Sequence, residues 1–219
     1  MLKEQHLLAL DQLANGTDPA ARRSAHDALI RFEEMGELKE ADFLDLLSSE
    51  EAVVRNHAIG ALARFKSDAA RGPLKALFER SHDPILLQEL LEAFAVYGSS
   101  DFTSVVLKRL KPPTWWARFV KKPAIKGFEG LFEESFLQEH ILLSALKYFL
   151  ACDQPKWSKQ IKALINHKDP MIRLNCLRLY DKIGPLPPLE RLEQLSKHDP
   201  SPLVRDAAAL MIKKADTPT

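Results

Sequence analysis

The sequence predicts an all-α protein built from about six helical hairpins, with an insertion in the fourth. Three observations lead to this fold class. No stretch alternates between apolar and polar residues for long enough to form a β-strand. The dipeptide Asp-Pro recurs along the chain, and each copy precedes an apolar pattern with helical spacing. Equivalent positions in these patterns recur about every 32 residues, and a repeat of this length indicates stacked helical units.

Each Asp-Pro pair is the chemical signature of a helix start. The Asp side chain accepts hydrogen bonds from free backbone N–H groups of the first turn, and Pro fits the first helical position because it lacks an N–H. We therefore predict helices that begin after four aspartates, namely Asp18, Asp83, Asp169 and Asp199. The segment Ser49-Glu50-Glu51 takes the same place once. Further helical patterns lie between the helix starts, at residues 38–47, 69–78, 102–110, 157–165 and 189–195.

The spacing of the repeats locates the insertion. Five residues take equivalent places in the patterns, with steps of 32 or 33 on both sides of one wide gap: Arg23, Arg55, Gln88, Arg173 and Arg205. The gap from 88 to 173 spans 85 residues, which is two repeats and about 20 extra residues. The extra residues coincide with 111–133, inside the fourth hairpin. Because connections inside helical hairpins are short, an insertion of this length predicts a functional segment.

The insertion differs from the rest of the chain in charge and aromatic content. Residues 102–128 hold seven basic side chains and no acidic one, whereas the remainder has 24 basic and 30 acidic side chains. In a helical segment, its aromatic side chains would share one face and its basic ones the other. A lid packed over the helices is the alternative that these residues leave open. We predict a partner-binding set that also includes two acidic residues of the third hairpin: Trp115, Trp116, Arg118, Phe119, Lys121, Lys122, Lys126, Phe128, Glu89 and Glu92.

Two segments, "SSEEAVVRNHAIGALARF" and "HDPSPLVRDAAALMIKK", combine an acidic turn with an apolar helix that carries an early Arg. This pattern resembles HEAT repeats, especially the short bacterial repeats also found in phycobilin lyases, over nearly the whole chain except 111–133. The resemblance implies a right-handed α-solenoid that forms a single domain over residues 1–219, with the second helix of each hairpin on a concave face. It also implies a ladder of Asp–Arg pairs between neighbouring repeats, interrupted at Gln88 and at Glu139 or His140.

The sequence contains none of the short motifs that carry catalysis or metal binding. It has no Gly-x-Ser-x-Gly, no glycine-rich phosphate loop and no two histidines spaced i and i+4. The His-Glu dipeptides of HEAT-like iron hydroxylases do not occur. Three histidines recur at the turns before helix starts, and we interpret them as turn residues: His82, His167 and His198. We therefore predict a protein that is not an enzyme and has no catalytic residue, cofactor or metal.

These observations favour a binding scaffold. Nucleic acid is disfavoured as a partner because acidic residues in the middle hairpins interrupt the basic track that a phosphate backbone needs. We predict that the concave face and the insertion bind another protein. Two alternatives stay open: an accessory subunit of a chromophore lyase or other modifying enzyme, and peripheral binding of an anionic membrane or nucleic acid through the insertion. The two cysteines, which lack paired metal spacing, predict a reduced cytoplasmic setting.

Overall fold

The computed structural model describes residues 2–110, 134–152 and 159–216. Within these ranges the chain forms helices and no strand, which confirms the all-α prediction. Two short 3₁₀ helices, Ser100–Phe102 and Leu164–Asn166, accompany the α-helices. The α-helices are α1 (Glu4–Asn15), α2 (Pro19–Glu34), α3 (Glu40–Leu46), α4 (Ala52–Phe65), α5 (Arg71–Arg80), α6 (Pro84–Tyr97), α7 (Thr103–Leu110), α8 (Glu134–Ala151), α9 (Lys159–Ala163), α10 (Pro170–Ile183), α11 (Leu189–His198) and α12 (Pro202–Asp216).

The described helices form six successive pairs, from α1–α2 to α11–α12. In every pair the second helix is longer than the first, and the first helices α3, α5, α7, α9 and α11 coincide with the predicted patterns to within a few residues. The fourth pair, α7 and α8, is joined by the predicted insertion, which lies outside the described residues. The sequence therefore placed each pair correctly, because capping and apolar spacing are local signals.

The chain divides into two compact units. One contains Met1–Ser81 and Ile85–Tyr97, and the other contains His82–Pro84 and Gly98–Thr219. Apart from the first residue of α6, the first unit holds α1 to α6 and the second holds α7 to α12. Each unit is thus an array of three helical pairs. The single domain and the right-handed solenoid that the resemblance implies stay predictions.

In the first unit, α4 contacts α1, α2 and α3. Its side chains Ala58, Ile59 and Leu62 are each at most 1 % exposed, and the alanines leave room for a close approach of the neighbouring helices. At the end of α6, the Tyr97 hydroxyl donates to the carbonyl oxygens of Leu62 at 3.1 Å and Ser67 at 2.9 Å. These hydrogen bonds join α6 to the C-terminal end of α4.

In the second unit, the second helices α8, α10 and α12 lie next to one another, with α10 in contact with both of the others. The Tyr148 hydroxyl of α8 donates to the Ser99 carbonyl at 3.0 Å and lies 2.9 Å from the Thr103 hydroxyl, which links α8 to the start of α7. Helix α11 packs on α12. The core of this end of the unit consists of Ile165, Leu174, Cys176, Leu177, Tyr180, Leu192, Leu195, Val204, Ala208 and Met211.

The predicted helix caps are partly right. Asp18 accepts from the Ala20 N–H at 2.9 Å, and Asp169 accepts from the N–H groups of two residues of α10 at 2.7 and 3.0 Å. Asp199 is different, because it is the C-terminal cap of α11. The next helix, α12, begins three residues later, at Pro202. Its carboxylate accepts one N–H, from Ser201, and otherwise binds an arginine. The prediction that Asp199 caps a helix as Asp169 does is therefore wrong.

In four of the second helices, an arginine near the helix start donates a hydrogen bond to a backbone carbonyl oxygen of the preceding turn. The acceptor residue is six positions earlier in the sequence. The prediction placed Arg23 in this set, but Arg23 is exposed and its neighbour Arg22 makes the contact. The physical reason is the cap: Arg22 follows the N-cap Asp18 by four residues, as Arg173 follows Asp169. Each contact holds the preceding turn against the helix. The pairs are Arg22 with Gly16, Arg55 with Ser49, Arg173 with His167 and Arg205 with Asp199.

Candidate partner-binding site

Eight of the ten residues predicted to bind a partner belong to the insertion and lie outside the described residues. They therefore stay predictions, and the site has to be built from the parts of the chain that the structure describes. The eight are Trp115, Trp116, Arg118, Phe119, Lys121, Lys122, Lys126 and Phe128.

The other two predicted residues, Glu89 and Glu92, lie one turn apart on α6. Both are partly buried. Burial raises the pKa of Glu89 above its usual value, and the negative charge of Glu92 raises it further. Glu92 in turn accepts a hydrogen bond from the Gln88 amide at 3.4 Å. The structure thus brings the two carboxylates together, and a cation that approached Glu89 would favour its charged form.

An apolar groove lies between the two last second helices, α10 and α12, and has a volume of about 320 Å³. We call it the second-helix groove. Its floor is buried and apolar, whereas the α12 side chains Leu203 and Leu210 are 57 % and 61 % exposed. These two leucines are seven residues apart, so they project from the same side of α12. The lining residues are Leu174, Leu177, Arg178, Asp181, Leu203, Asp206, Ala207, Leu210, Met211 and Lys214.

Charged side chains of both signs border the second-helix groove. Lys214 donates to both carboxylate oxygens of Asp181, at 2.8 and 2.7 Å, and this pair connects α12 with α10. Arg178 and Asp206 also line the groove. An apolar centre inside a charged rim is the usual arrangement of a protein–protein interface. The groove was not predicted from the sequence, although Leu203 and Leu210 fall outside the pattern of the buried Val204, Ala208 and Met211.

A buried ion pair connects the last two helical pairs at their turns. The Arg173 guanidinium donates to both oxygens of Asp199, at 2.8 and 2.7 Å, and to the carbonyl oxygens of His167 and Lys168, each at 2.7 Å. Burial by itself raises the pKa of Asp199. The hydrogen bonds from Arg173 and Ser201, together with the positive charges of Arg173 and Arg191, outweigh that effect and hold this pKa below its usual value. This pair is one rung of the predicted Asp–Arg ladder.

His57 on α4 is buried beside two other rings. Its side chain is 5 % exposed, and neither ring nitrogen has a partner among the described residues. The His26 ring meets it edge-on with 5.1 Å between centroids, and the Phe43 ring lies 5.8 Å away. Burial, with smaller contributions from the charges of His26 and Arg64, lowers the pKa of His57 to about 4. His57 is therefore neutral at physiological pH.

The described residues offer little for nucleophilic or metal chemistry. Both cysteines are buried, and burial raises the pKa of the Cys176 thiol to about 12, so this sulfur is protonated at neutral pH. In residues 2–110, 134–152 and 159–216, no three His, Cys, Asp or Glu side chains gather closely enough to hold a metal ion. Nor does any helix in those ranges have the length and apolar composition needed to cross a membrane.

Paired helices in which a capped second helix stacks on its neighbours define a helical-repeat protein. Residues 6–95 match the family model of HEAT repeats, so this part of the chain is similar to HEAT-repeat proteins. The match covers most of the first unit. No curated protein matches the chain. HEAT repeats generally serve as scaffolds for protein interactions and are generally not catalytic, whereas the likeness to phycobilin lyases stays a prediction.

Proposed function

We propose that this protein is a non-catalytic scaffold that binds another protein through its second helices together with the insertion at 111–133. The observation that carries the proposal is the second-helix groove, where α12 presents Leu203 and Leu210 to solvent. Burial of a leucine side chain contributes about 1.5–3 kcal/mol. Two such side chains beside an apolar floor therefore supply the kind of anchor on which protein interfaces depend.

The shape and border of the groove indicate the kind of segment that it accepts. It is an open channel between two helices, with apolar walls and charges at its edge. An amphipathic helix or a short apolar segment with flanking charged residues would bury its apolar side there. The acidic pair Glu89 and Glu92 on the first unit adds a second contact point for Lys or Arg side chains of the partner.

The experiment that tests the proposal is affinity capture with two forms of the protein. The wild type and a variant in which a short linker replaces residues 113–127 are immobilised, and captured proteins are identified by mass spectrometry. We expect the wild type to enrich a defined partner that the variant retains weakly or not at all. Enrichment of bilin-pathway enzymes would favour the accessory-subunit alternative, and co-sedimentation with anionic vesicles would favour the membrane alternative.

The deletion variant is expected to keep its helical content and melting temperature. The helical pairs of a solenoid contact only their neighbours, and shortening a connection changes the closure entropy modestly. Circular dichroism and thermal melts check this. If the aromatic residues instead complete the core, the deletion will lower the melting temperature sharply or cause aggregation, since truncation of buried aromatics costs about 3–5 kcal/mol each. That result would contradict the insertion as a binding segment.

A further inference from the structure

A second cavity lies at the turns of the last two helical pairs, away from the apolar groove. Its volume is about 470 Å³, and it opens between the turn before α10, the helix α11 and the turn before α12. The side chains that matter for its chemistry are three cations, two histidines and one carboxylate: Lys168, Arg173, Arg191, His167, His198 and Asp199.

Two of the three cations already have carboxylate partners. Arg173 holds both oxygens of Asp199. The Lys168 amine lies 2.8 Å from a carboxylate oxygen of Glu139 on α8. The Asp199 carboxylate also accepts the Ser201 N–H, and the positive charge of Arg191 helps to lower the pKa of this carboxyl.

Arg191 on α11 is different, because its hydrogen bonds go to neutral acceptors, although the charge of Asp199 also acts on it. It donates to the Gln194 side-chain oxygen at 2.5 Å and to the Ile165 carbonyl oxygen at 3.4 Å. Its Nε–H is buried and has no acceptor among the described residues. A buried, charged donor without an acceptor costs free energy that an incoming anionic oxygen would recover.

Two histidines, His167 and His198, line the same cavity. His167 Nδ1 accepts the Asp169 backbone N–H at 3.1 Å, so in the neutral ring the proton resides on Nε2. Burial is the largest effect on His167 and lowers its pKa, which favours this neutral form. His198 lies exposed at the end of α11. The cavity therefore offers a neutral donor, His167 Nε2–H, besides the Arg191 guanidinium.

We propose that this cavity binds an oxyanion, the group shared by carboxylates and phosphates, with Arg191 as its main ligand. The Arg191 Nε–H and one terminal N–H donate to two oxygens of the anion, in the paired geometry that guanidinium groups prefer. When the anion binds, the Gln194 side chain either keeps or loses the hydrogen bond that it accepts from Arg191. The proposal stands apart from protein binding at the second-helix groove, because it rests on different residues and a different cavity.

The probe is inorganic phosphate, and the readout is the side-chain Nε–H signals of arginine in the ¹⁵N-labelled full chain. The Arg191 signal is identified by its absence from the Arg191→Gln variant. We expect this signal to shift saturably as phosphate is added, whereas the Arg205 signal stays in place because that guanidinium already donates to turn carbonyls. An Arg191 signal that phosphate and a capped triglutamate peptide both leave unmoved would overturn the proposal.

Variants test whether Arg191 itself carries the affinity. Arg191→Gln removes the cation, and Gln194→Glu leaves Arg191 in place but supplies a carboxylate that occupies it. We expect each to weaken the binding of the probe about tenfold, the loss typical of one charge-assisted contact. The matched control Lys197→Gln removes an exposed cation from the same helix outside the cavity and should leave the affinity unchanged.

The outcomes separate a site from general attraction of anions. Equal losses in Arg191→Gln and Lys197→Gln, with unchanged melting temperatures, would show nonspecific attraction and contradict the site. If Arg191→Gln unfolds the protein, the exposed Gln194→Glu substitution decides the question. Stronger binding of phosphate than of the triglutamate peptide would identify a phosphate-bearing ligand, and the reverse would identify a carboxylate. Either ranking supports the site, and neither depends on capture of a protein partner.

Discussion

Replacement of Asp199 by alanine is expected to lower the free energy of unfolding by about 3–5 kcal/mol, because it leaves the buried Arg173 guanidinium without its counter-charge. The two side chains are 3 % and 9 % exposed. Removal of one member of such a pair also leaves two donors of Arg173 without acceptors. Chemical denaturation of the purified full chain measures the change.

Two matched substitutions separate this effect from weaker ones. Asp169→Ala removes a helix cap and should cost about 1 kcal/mol. Asp181→Ala breaks the exposed pair with Lys214 and should cost less than about 1 kcal/mol. If Asp199→Ala costs no more than Asp169→Ala, the buried pair does not hold the two turns together as described.

Acidification is expected to destabilise the first unit through His57. The pKa of this histidine is about 4 in the folded protein, against an ordinary value of 6.5. Between these two values the unfolded chain binds the proton more tightly, so stability falls as the pH is lowered from 6.5 towards 4. The full difference corresponds to about 3 kcal/mol, which is present above pH 6.5 and lost near pH 4.

The measurement is the unfolding free energy at a series of pH values for the wild type and for His57→Phe. The phenylalanine ring keeps the contacts with Phe43 and His26 but does not titrate. We expect the variant to have a shallower slope than the wild type between pH 6.5 and 4. The control His198→Gln alters an exposed ring and should keep that slope. Identical slopes for the wild type and His57→Phe would contradict the role of His57.

The sequence sufficed where the physical cause was local. Asp18 and Asp169 mark helix starts because the cap and its N–H partners lie within three residues of each other. The insertion at 111–133 lies outside the described residues and stays a prediction from the spacing of the repeats. The sequence prediction named Arg23 instead of Arg22, because the two arginines are adjacent and chemically identical.

The candidate sites depended on contacts that are distant in sequence. Asp199 resembles Asp169 in its Asp-Pro dipeptide, yet its partner Arg173 lies 26 residues earlier, and that pairing draws the carboxylate away from a capping role. Similarly, the sequence does not distinguish Leu203 from the buried apolar residues of α12. The packing of α12 on α10 and α11 shows that Leu203 is exposed. Burial decides between core and surface, and a repeat pattern by itself does not.

We propose that the partner binds at the second-helix groove, and the affinity of the captured partner for groove variants tests this proposal most directly. Leu203→Asp and Leu210→Asp put charge on two exposed anchors, and Leu189→Asp changes a leucine of α11 that is 52 % exposed and outside the groove. With melting temperatures unchanged, we expect each groove substitution to raise the dissociation constant about tenfold or more, and Leu189→Asp to leave it unchanged. Equal affinity for all four proteins would contradict binding at the groove.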